Sequence, residues 1–117
     1  MVWHLTPGHT KGCTTWEFDV QYQSQQRRVL LVCGFKILPF TKLGKHPEVI
    51  EDYKKSFDII DELLDNCEIL LAPHMSHFEV GETLRQLHTN EYEFQQDKCI
   101  NFFSDETKKA TKKITKY

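Results

Sequence analysis

Residues 4–16 read HLTPGHTKGCTTW, a stretch that places a sharp turn directly before a strand-like pattern. Pro7 and Gly8 favour a tight turn, because proline fixes φ near the value that turns use and glycine tolerates positive φ. If a strand precedes this turn, the turn projects His9 at the edge of a sheet. Side chains at such positions are held firmly by the sheet and still face a cleft.

The elements that follow this turn are predicted from hydrophobic periodicity. From Thr14 to Tyr22 every second residue is apolar, which indicates a half-buried strand. Residues 23–27 are predicted to form a polar turn. The continuous apolar run at residues 29–33 favours a buried strand that completes a hairpin with the first one.

The second half of the chain is predicted to be mostly helical. Pro47 is suited to the first turn of a helix, and apolar residues then recur in steps of three and four at Val49, Tyr53, Phe57, Ile60 and Leu64. Residues 68–72 predict a third short strand, and residues 79–87 a second helix. Ser104 is predicted to cap a last helix. With the strand that precedes the turn at Pro7 included, the order is strand, strand, strand, helix, strand, helix, helix. This order indicates an α/β unit with helices packed on a sheet.

Composition limits the possible functions. The chain has 117 residues, enough for one modest domain or part of a larger one, and its 39% hydrophobic content is slightly lean for a self-sufficient domain. The net charge of −2 argues against a nucleic-acid partner. We expect no membrane span, because no run of eighteen apolar residues occurs, and no signal peptide at Met1.

Four cysteines occur, at positions 13, 33, 67 and 99. Their spacing matches no CxxC zinc ribbon, so a structural zinc site is not indicated. One disulfide with two free thiols is compatible with this number, and composition leaves the pairing open.

A second histidine stands at a comparable position, because His74 follows the predicted strand at residues 68–72 and the intervening Pro73. Imidazole is a natural ligand for zinc in hydrolytic sites. Taken alone, each histidine is more often a surface or hydrogen-bonding residue than a metal ligand. Two ligands also make a poor catalytic site, because catalytic zinc normally has three protein ligands and a water.

The stretch at residues 4–16 resembles the third metal-binding motif of metallo-β-lactamases, especially those of the third subclass, B3. The likeness continues through residues 47–57, PEVIEDYKKSF, and residues 67–74, CEILLAPH. It covers nearly the whole chain with the motifs in the family's order. The resemblance implies an α/β fold, the C-terminal half of the family's αββα sandwich, with residues 1–117 as a partial domain.

The resemblance also implies a dinuclear zinc site and its ligands. His9 would be the third ligand of the first zinc, and His74 one ligand of the second. Cys67 and Cys99 resemble the disulfide of this subclass, worth ~3–4 kcal/mol on the chain-entropy model. The alternative is two buried free thiols, as expected in a reducing compartment.

Most of the implied metal ligands are missing from this chain. The family's H-x-H-x-D-H motif supplies four of six ligands, no such motif occurs here, and the chain provides two. We therefore expect the N-terminal half of the domain to be needed for the site, and this chain to be inactive alone. In the complete protein, zinc would activate water for attack on a β-lactam. No catalytic residue beyond the metal ligands is implied, so Cys13 and Ser56 need not be nucleophiles.

The substrate contacts depart from the family pattern. Residues 33–36 read CGFK where the subclass often has serines that contact the substrate carboxylate. Lys36 is a candidate for binding that carboxylate as a point charge, and the alternative is a solvated lysine. The segment also resembles the metal cysteine and substrate lysine of the first subclass, but we interpret Cys33 as a core thiol.

Three functions are thus compatible with the sequence. The first is zinc-dependent hydrolysis of β-lactams in the periplasm by the complete protein. The second is a related superfamily hydrolase that acts on a lactone, ester or other amide. The third is a non-catalytic half-domain that pairs with a separate chain. The coding sequence upstream of Met1 discriminates among them, because an in-frame H-x-H-x-D-H motif behind a signal peptide favours the first two.

Overall fold

A computed structural model describes residues 1–8, 10–33, 45–73, 79–95 and 97–114. Its elements follow the order predicted from the sequence: β1 (Val2–Leu5), β2 (Thr14–Tyr22), β3 (Gln25–Leu31), α1 (Pro47–Leu64), β4 (Ile69–Leu71), α2 (Val80–His88) and α3 (Lys98–Ile114). No described helix has the length and apolar character needed to cross a membrane.

The four strands form one sheet in the order β1-β2-β3-β4. β2 is antiparallel to both β1 and β3, whereas β3 and β4 are parallel. Parallel neighbours require a long crossover connection, and here α1 lies between them in sequence. As a consequence β1, β3 and β4 run in the same direction, and their C-terminal ends lie at the same end of the sheet, called the shared edge below.

The β2–β3 hairpin is tighter than the sequence predicts. Its turn consists of Gln23 and Ser24 alone, both with positive φ (51° and 65°), and Tyr22 pairs directly with Gln25. A two-residue turn with positive φ at both positions matches the twist of the flanking strands. The prediction of a polar turn over residues 23–27 and a strand over 29–33 is therefore wrong at both boundaries.

One face of the sheet carries the main hydrophobic core. Leu30, Val32, Leu70 and Ala72 on this face cluster with residues from all three helices. The buried face of α1 is centred one position from the predicted stripe, as Ile50, Tyr53, Ser56, Ile60 and Leu64 are buried. Val49 and Phe57 flank this face and are partly buried.

The opposite face is only partly covered. Val29 and Ile69 pack there against Tyr92, with Phe18, Val20 and Phe94 at the margins of the cluster. At the other side of this face Trp3 is 62% exposed and Leu5 is 49% exposed. Trp3 lies directly opposite Trp16 in the strand register, so these apolar side chains extend the same face toward the β1 edge.

The last helix begins earlier than predicted. α3 starts at Lys98, so Ser104 lies inside it and does not cap its N-terminus. Cys99, Phe103 and Thr107 are buried at intervals of four residues, and this buried stripe extends the helix upstream of the expected capping residue.

All four cysteines are disulfide-bonded. Cys67 and Cys99 form a disulfide, as the resemblance implies, and it joins the start of β4 to α3. Cys13 pairs with Cys33. The interpretation of Cys33 as a core thiol is therefore wrong, because the end of β3 lies beside the loop that carries Cys13. The alternative of one disulfide with two free thiols does not hold either.

Candidate metal centre

The three candidate site residues each follow one of the strands that end at the shared edge. β1 leads into the turn before His9, β3 leads through Cys33 toward Lys36, and β4 leads through Pro73 to His74. Strands in a sheet lie about 4.8 Å apart, so β1 and β4 are separated by about 14 Å. The sequence therefore brings these three segments to one end of the sheet.

His9, Lys36 and His74 themselves lie outside the described residues. Their assignment as metal ligands and substrate contact stays a prediction. The residues on either side of His9, Pro73 before His74, and the chain up to Cys33 before Lys36 are described. They define how the three segments are held.

The loop that carries His9 is closed at its base by buried hydrogen bonds. The Thr6 amide donates to the Cys13 carbonyl at 2.8 Å, and the hydroxyls of Thr6 and Thr15 are 2.9 Å apart. Both threonines are almost fully buried. Within the loop the Gly8 amide donates to the Thr10 carbonyl at 3.1 Å. These bonds satisfy polar groups that would otherwise be costly to bury.

Helix α1 supports the same loop from the side. The Ser56 hydroxyl donates to the Pro7 carbonyl at 2.6 Å, the Tyr53 ring packs against Gly8, and Lys11 forms an ion pair with Asp52. The sequence predicts Tyr53 only as part of a helical stripe, and it assigns Ser56 no role in the site. These residues are 41 to 49 positions from their partners in the loop, and no local pattern indicates such a contact.

The ends of β3 and β4 are joined to this loop. The Cys13–Cys33 disulfide brings the Cα atoms of the two residues within 5.5 Å. One residue before Cys33, the Val32 amide donates to the Leu71 carbonyl at 2.8 Å. The His9 loop, the segment before Lys36 and the segment before His74 are therefore connected by a covalent bond and by sheet pairing.

Burial raises the pKa of the tyrosine beneath the loop. Tyr53 is 2% exposed, and burial raises the pKa of its phenol from 10 to about 12. A phenol with either pKa is neutral at physiological pH, so the shift affects only the alkaline range. His4, by contrast, is occupied by Glu17 on the sheet, 3.2 Å from its Nε2, and gives no indication of a site role.

The donor chemistry fits zinc, but the number of donors is too small. Imidazole nitrogen is a standard zinc ligand, and a catalytic site normally uses three protein ligands. The described parts of the chain contain no group of three or more histidine, cysteine, aspartate or glutamate side chains arranged to hold a metal. If His9 and His74 serve two different metals, each metal has one ligand from this chain, and the others must come from another segment.

No protein-family model matches this sequence. Solved structures do match. The native FEZ-1 metallo-β-lactamase from Legionella gormanii is 27% identical, and the match covers 97% of this chain and 45% of that one with a TM-score of 0.78. The metallo-β-lactamase SMB-1, solved with mercaptoacetic acid, is 20% identical over 97% of this chain and 45% of its own, with a TM-score of 0.78.

The subclass B3 metallo-β-lactamase BJP-1 of Bradyrhizobium japonicum is 22% identical, with a TM-score of 0.66 over 97% of this chain and 44% of that one. This chain thus spans less than half the length of the structures that it matches. The sequence resemblance and the structural neighbours agree, and the chain has the fold of part of a metallo-β-lactamase domain, with subclass B3 enzymes among its neighbours.

Proposed function

We propose that this chain belongs to a zinc-dependent hydrolase that opens the β-lactam amide bond, and that it is inactive without the rest of the domain. The observation that carries the proposal is that β1, β3 and β4 run in the same direction and finish at the same end of the sheet. The segments with His9, Lys36 and His74 follow these three strands in sequence. The likeness to FEZ-1 supports β-lactams as the substrate class.

The proposed roles of the chain's own residues follow from their chemistry. His9 and His74 each bind one zinc through a neutral imidazole nitrogen. Lys36 attracts the carboxylate of the substrate as a point charge. When bound, zinc supplies a water of lowered pKa and a Lewis acid for the carbonyl. The loop bonds described above hold the backbone on both sides of His9 before any ligand arrives.

We further propose that the missing half of the domain carries the H-x-H-x-D-H motif and packs on the partly covered face of the sheet. Trp3 and Leu5 are 62% and 49% exposed on the edge strand, and both lie on the same face as Trp16. Exposed apolar groups of this kind commonly mark a surface that another element covers. The two disulfides are typical of oxidising compartments and support a periplasmic location.

Site-directed variants of the complete protein test the metal assignment. His9→Ala and His74→Ala are each expected to abolish most hydrolysis of a chromogenic cephalosporin, because each removes a zinc ligand. His88→Ala is the matched control, since His88 is exposed at the end of α2. Full activity in both ligand variants would remove the assignment.

Zinc titration of the 117-residue chain tests its incompleteness. Calorimetry is expected to detect less than one tight zinc per molecule, because a single imidazole binds zinc weakly. Two tight sites in the isolated chain would contradict the proposal.

A second substrate class is favoured by one observation. The sequence CGFK at residues 33–36 lacks the expected serines, and Cys33 is occupied by its disulfide with Cys13. A lactone or ester hydrolase of the same superfamily is compatible with this departure. Comparison of kcat/KM for a cephalosporin and for an acyl lactone in the complete protein discriminates the two substrate classes.

A further inference from the structure

We propose that Asp52, Tyr53 and Ser56 of α1 act as positioning residues for the loop that carries His9. We call these three residues the α1 platform. The inference deepens the proposed function and rests on it, since His9 matters only if it binds metal. The platform touches the loop on both sides of His9, at Pro7 and Gly8 before it and at Lys11 after it.

The Ser56 contact fixes a peptide plane close to His9. Ser56 has no exposed surface, and its hydroxyl donates to the Pro7 carbonyl at 2.6 Å. That carbonyl belongs to the Pro7–Gly8 peptide, so its orientation determines the direction in which the chain enters the turn. The apolar side chains around Ser56 contribute packing without a preferred direction. The Ser56 hydroxyl instead makes a directional hydrogen bond to a loop carbonyl 49 residues away.

The Tyr53 contact sets the distance between helix and turn. A Cβ atom built on Gly8 would lie 2.7 Å from Cδ1 and 2.8 Å from Cε1 of the Tyr53 ring. Only glycine therefore fits at this position without a shift, and its φ of +151° is one that side chains with a Cβ rarely adopt. Phe57 contacts the same ring, with centroids 6.2 Å apart, and this contact restricts its orientation.

The Asp52 contact restrains the other side of the loop. Lys11 lies two residues after His9, and its ammonium group pairs with the Asp52 carboxylate. The lysine side chain is 70% exposed, so this ion pair contributes little by itself. Its role in the platform is to oppose rotation of the loop about the Pro7 and Gly8 contacts.

Such supporting contacts are known to matter at metal sites. Groups that orient a metal ligand typically change metal affinity or activity by about 10-fold to 100-fold when they are removed. The α1 platform acts one step further out, on the backbone that presents the ligand. We therefore expect effects near the lower end of that range.

The first measurement uses the complete protein without metal. Hydrogen exchange of the Gly8 and Cys13 amides reports on the loop, because both amides are hydrogen-bonded within it. Ser56→Ala is expected to speed their exchange by about 10-fold and to leave the Val29 and Leu30 amides of β3 unchanged. Ser104→Ala, at an exposed serine of α3, is expected to leave both sets unchanged.

The second measurement is zinc affinity by competition with a chelator. Ser56→Ala is expected to weaken zinc binding by about 10-fold, and Tyr53→Leu to do the same because it removes the ring beneath Gly8. Ser104→Ala is expected to keep the wild-type affinity. The exchange rates of the Val29 and Leu30 amides of β3, measured in the Tyr53→Leu protein, separate loss of loop positioning from loss of folding.

Two results would overturn the proposal that the α1 platform positions the loop. One is unchanged exchange of the Gly8 and Cys13 amides in Ser56→Ala. The other is equal acceleration in the loop and in β3, which would indicate general destabilisation. Failure of the wild-type protein to bind zinc would instead count against the proposed function, while the metal-free exchange data would still decide whether the platform holds the loop.

Discussion

The Cys67–Cys99 disulfide should account for a large share of the stability of this chain. It closes a loop with a sequence separation of 32 residues and joins the start of β4 to α3. Replacing both cysteines with alanine restores the full conformational freedom of this loop in the unfolded state. The chain-entropy model gives a loss of about 3–4 kcal/mol for a loop of this length. Net stabilities of small domains are only about 5–15 kcal/mol.

Equilibrium urea unfolding, followed by circular dichroism, measures this loss. The matched control is Cys13→Ala with Cys33→Ala, where the separation is 20 residues. The logarithmic dependence on loop length predicts that this control loses about 0.4 kcal/mol less. A loss below about 1 kcal/mol in the Cys67→Ala, Cys99→Ala variant would refute the loop-entropy reasoning. So would a control that loses far more than the variant with the longer loop.

Three further perturbations have expected outcomes. Burial raises the pKa of Tyr53 and of Tyr92 to about 12, so the free energy of unfolding, measured with urea between pH 9 and 12, should be level up to about pH 10. Above pH 10 the free energy of unfolding should fall by up to about 1.4 kcal/mol per pH unit for each phenol, because the phenols ionise at lower pH in the unfolded chain than in the folded one. A free energy of unfolding that stays constant in that range would contradict the burial argument. The hydrogen bond from Arg27 lowers the pKa of Glu68, so Glu68→Gln should cost about 0.5–1 kcal/mol at pH 7. In urea titrations this cost should disappear below the lowered pKa, where the carboxyl is protonated, and a cost that persists there would exclude the ion pair as its source. Ser24 has a φ of 65°, so Ser24→Gly should raise the unfolding free energy by about 0.5–1 kcal/mol, and a lower value would contradict the assigned turn.

Periodic elements of this fold are predictable from the sequence. The alternation in β2 and the helical spacing in α1 each predict the type of element, because one period matches a strand and the other a helix. They predict burial less closely, since the buried face of α1 is centred one position from the predicted stripe. β4 is short, but its apolar run stands between a helix and a proline. The order of elements along the chain follows from these patterns.

The β2–β3 turn and the start of α3 differ from the prediction, because both depend on tertiary contacts rather than on local sequence patterns. Gln23 and Ser24 form a tight turn without the asparagine or glycine that usually signals one. α3 starts at Lys98 because Cys99 and Phe103 are buried against the rest of the core, and the local sequence favoured Ser104 as the start. Tertiary packing outweighed local propensity in both places.

The candidate site was accessible only through the resemblance. A lone histidine after a turn carries little information, and no spacing rule connects His9 with His74. The strands that precede them end at the same end of the sheet because β1, β3 and β4 run in the same direction. The contacts of Tyr53 and Ser56 with the loop required coordinates, because helix periodicity shows only that these positions face inward.

The pairing of Trp3 with Trp16 across β1 and β2 has a practical consequence. Both indoles of the chain sit side by side on the face that is only partly covered, and Trp3 is largely in contact with water. Indole emission shifts to shorter wavelength when water is removed from the ring. If the missing half packs on this face, as proposed, mixing the two halves should shift the tryptophan emission to shorter wavelength, which reports assembly without an attached dye.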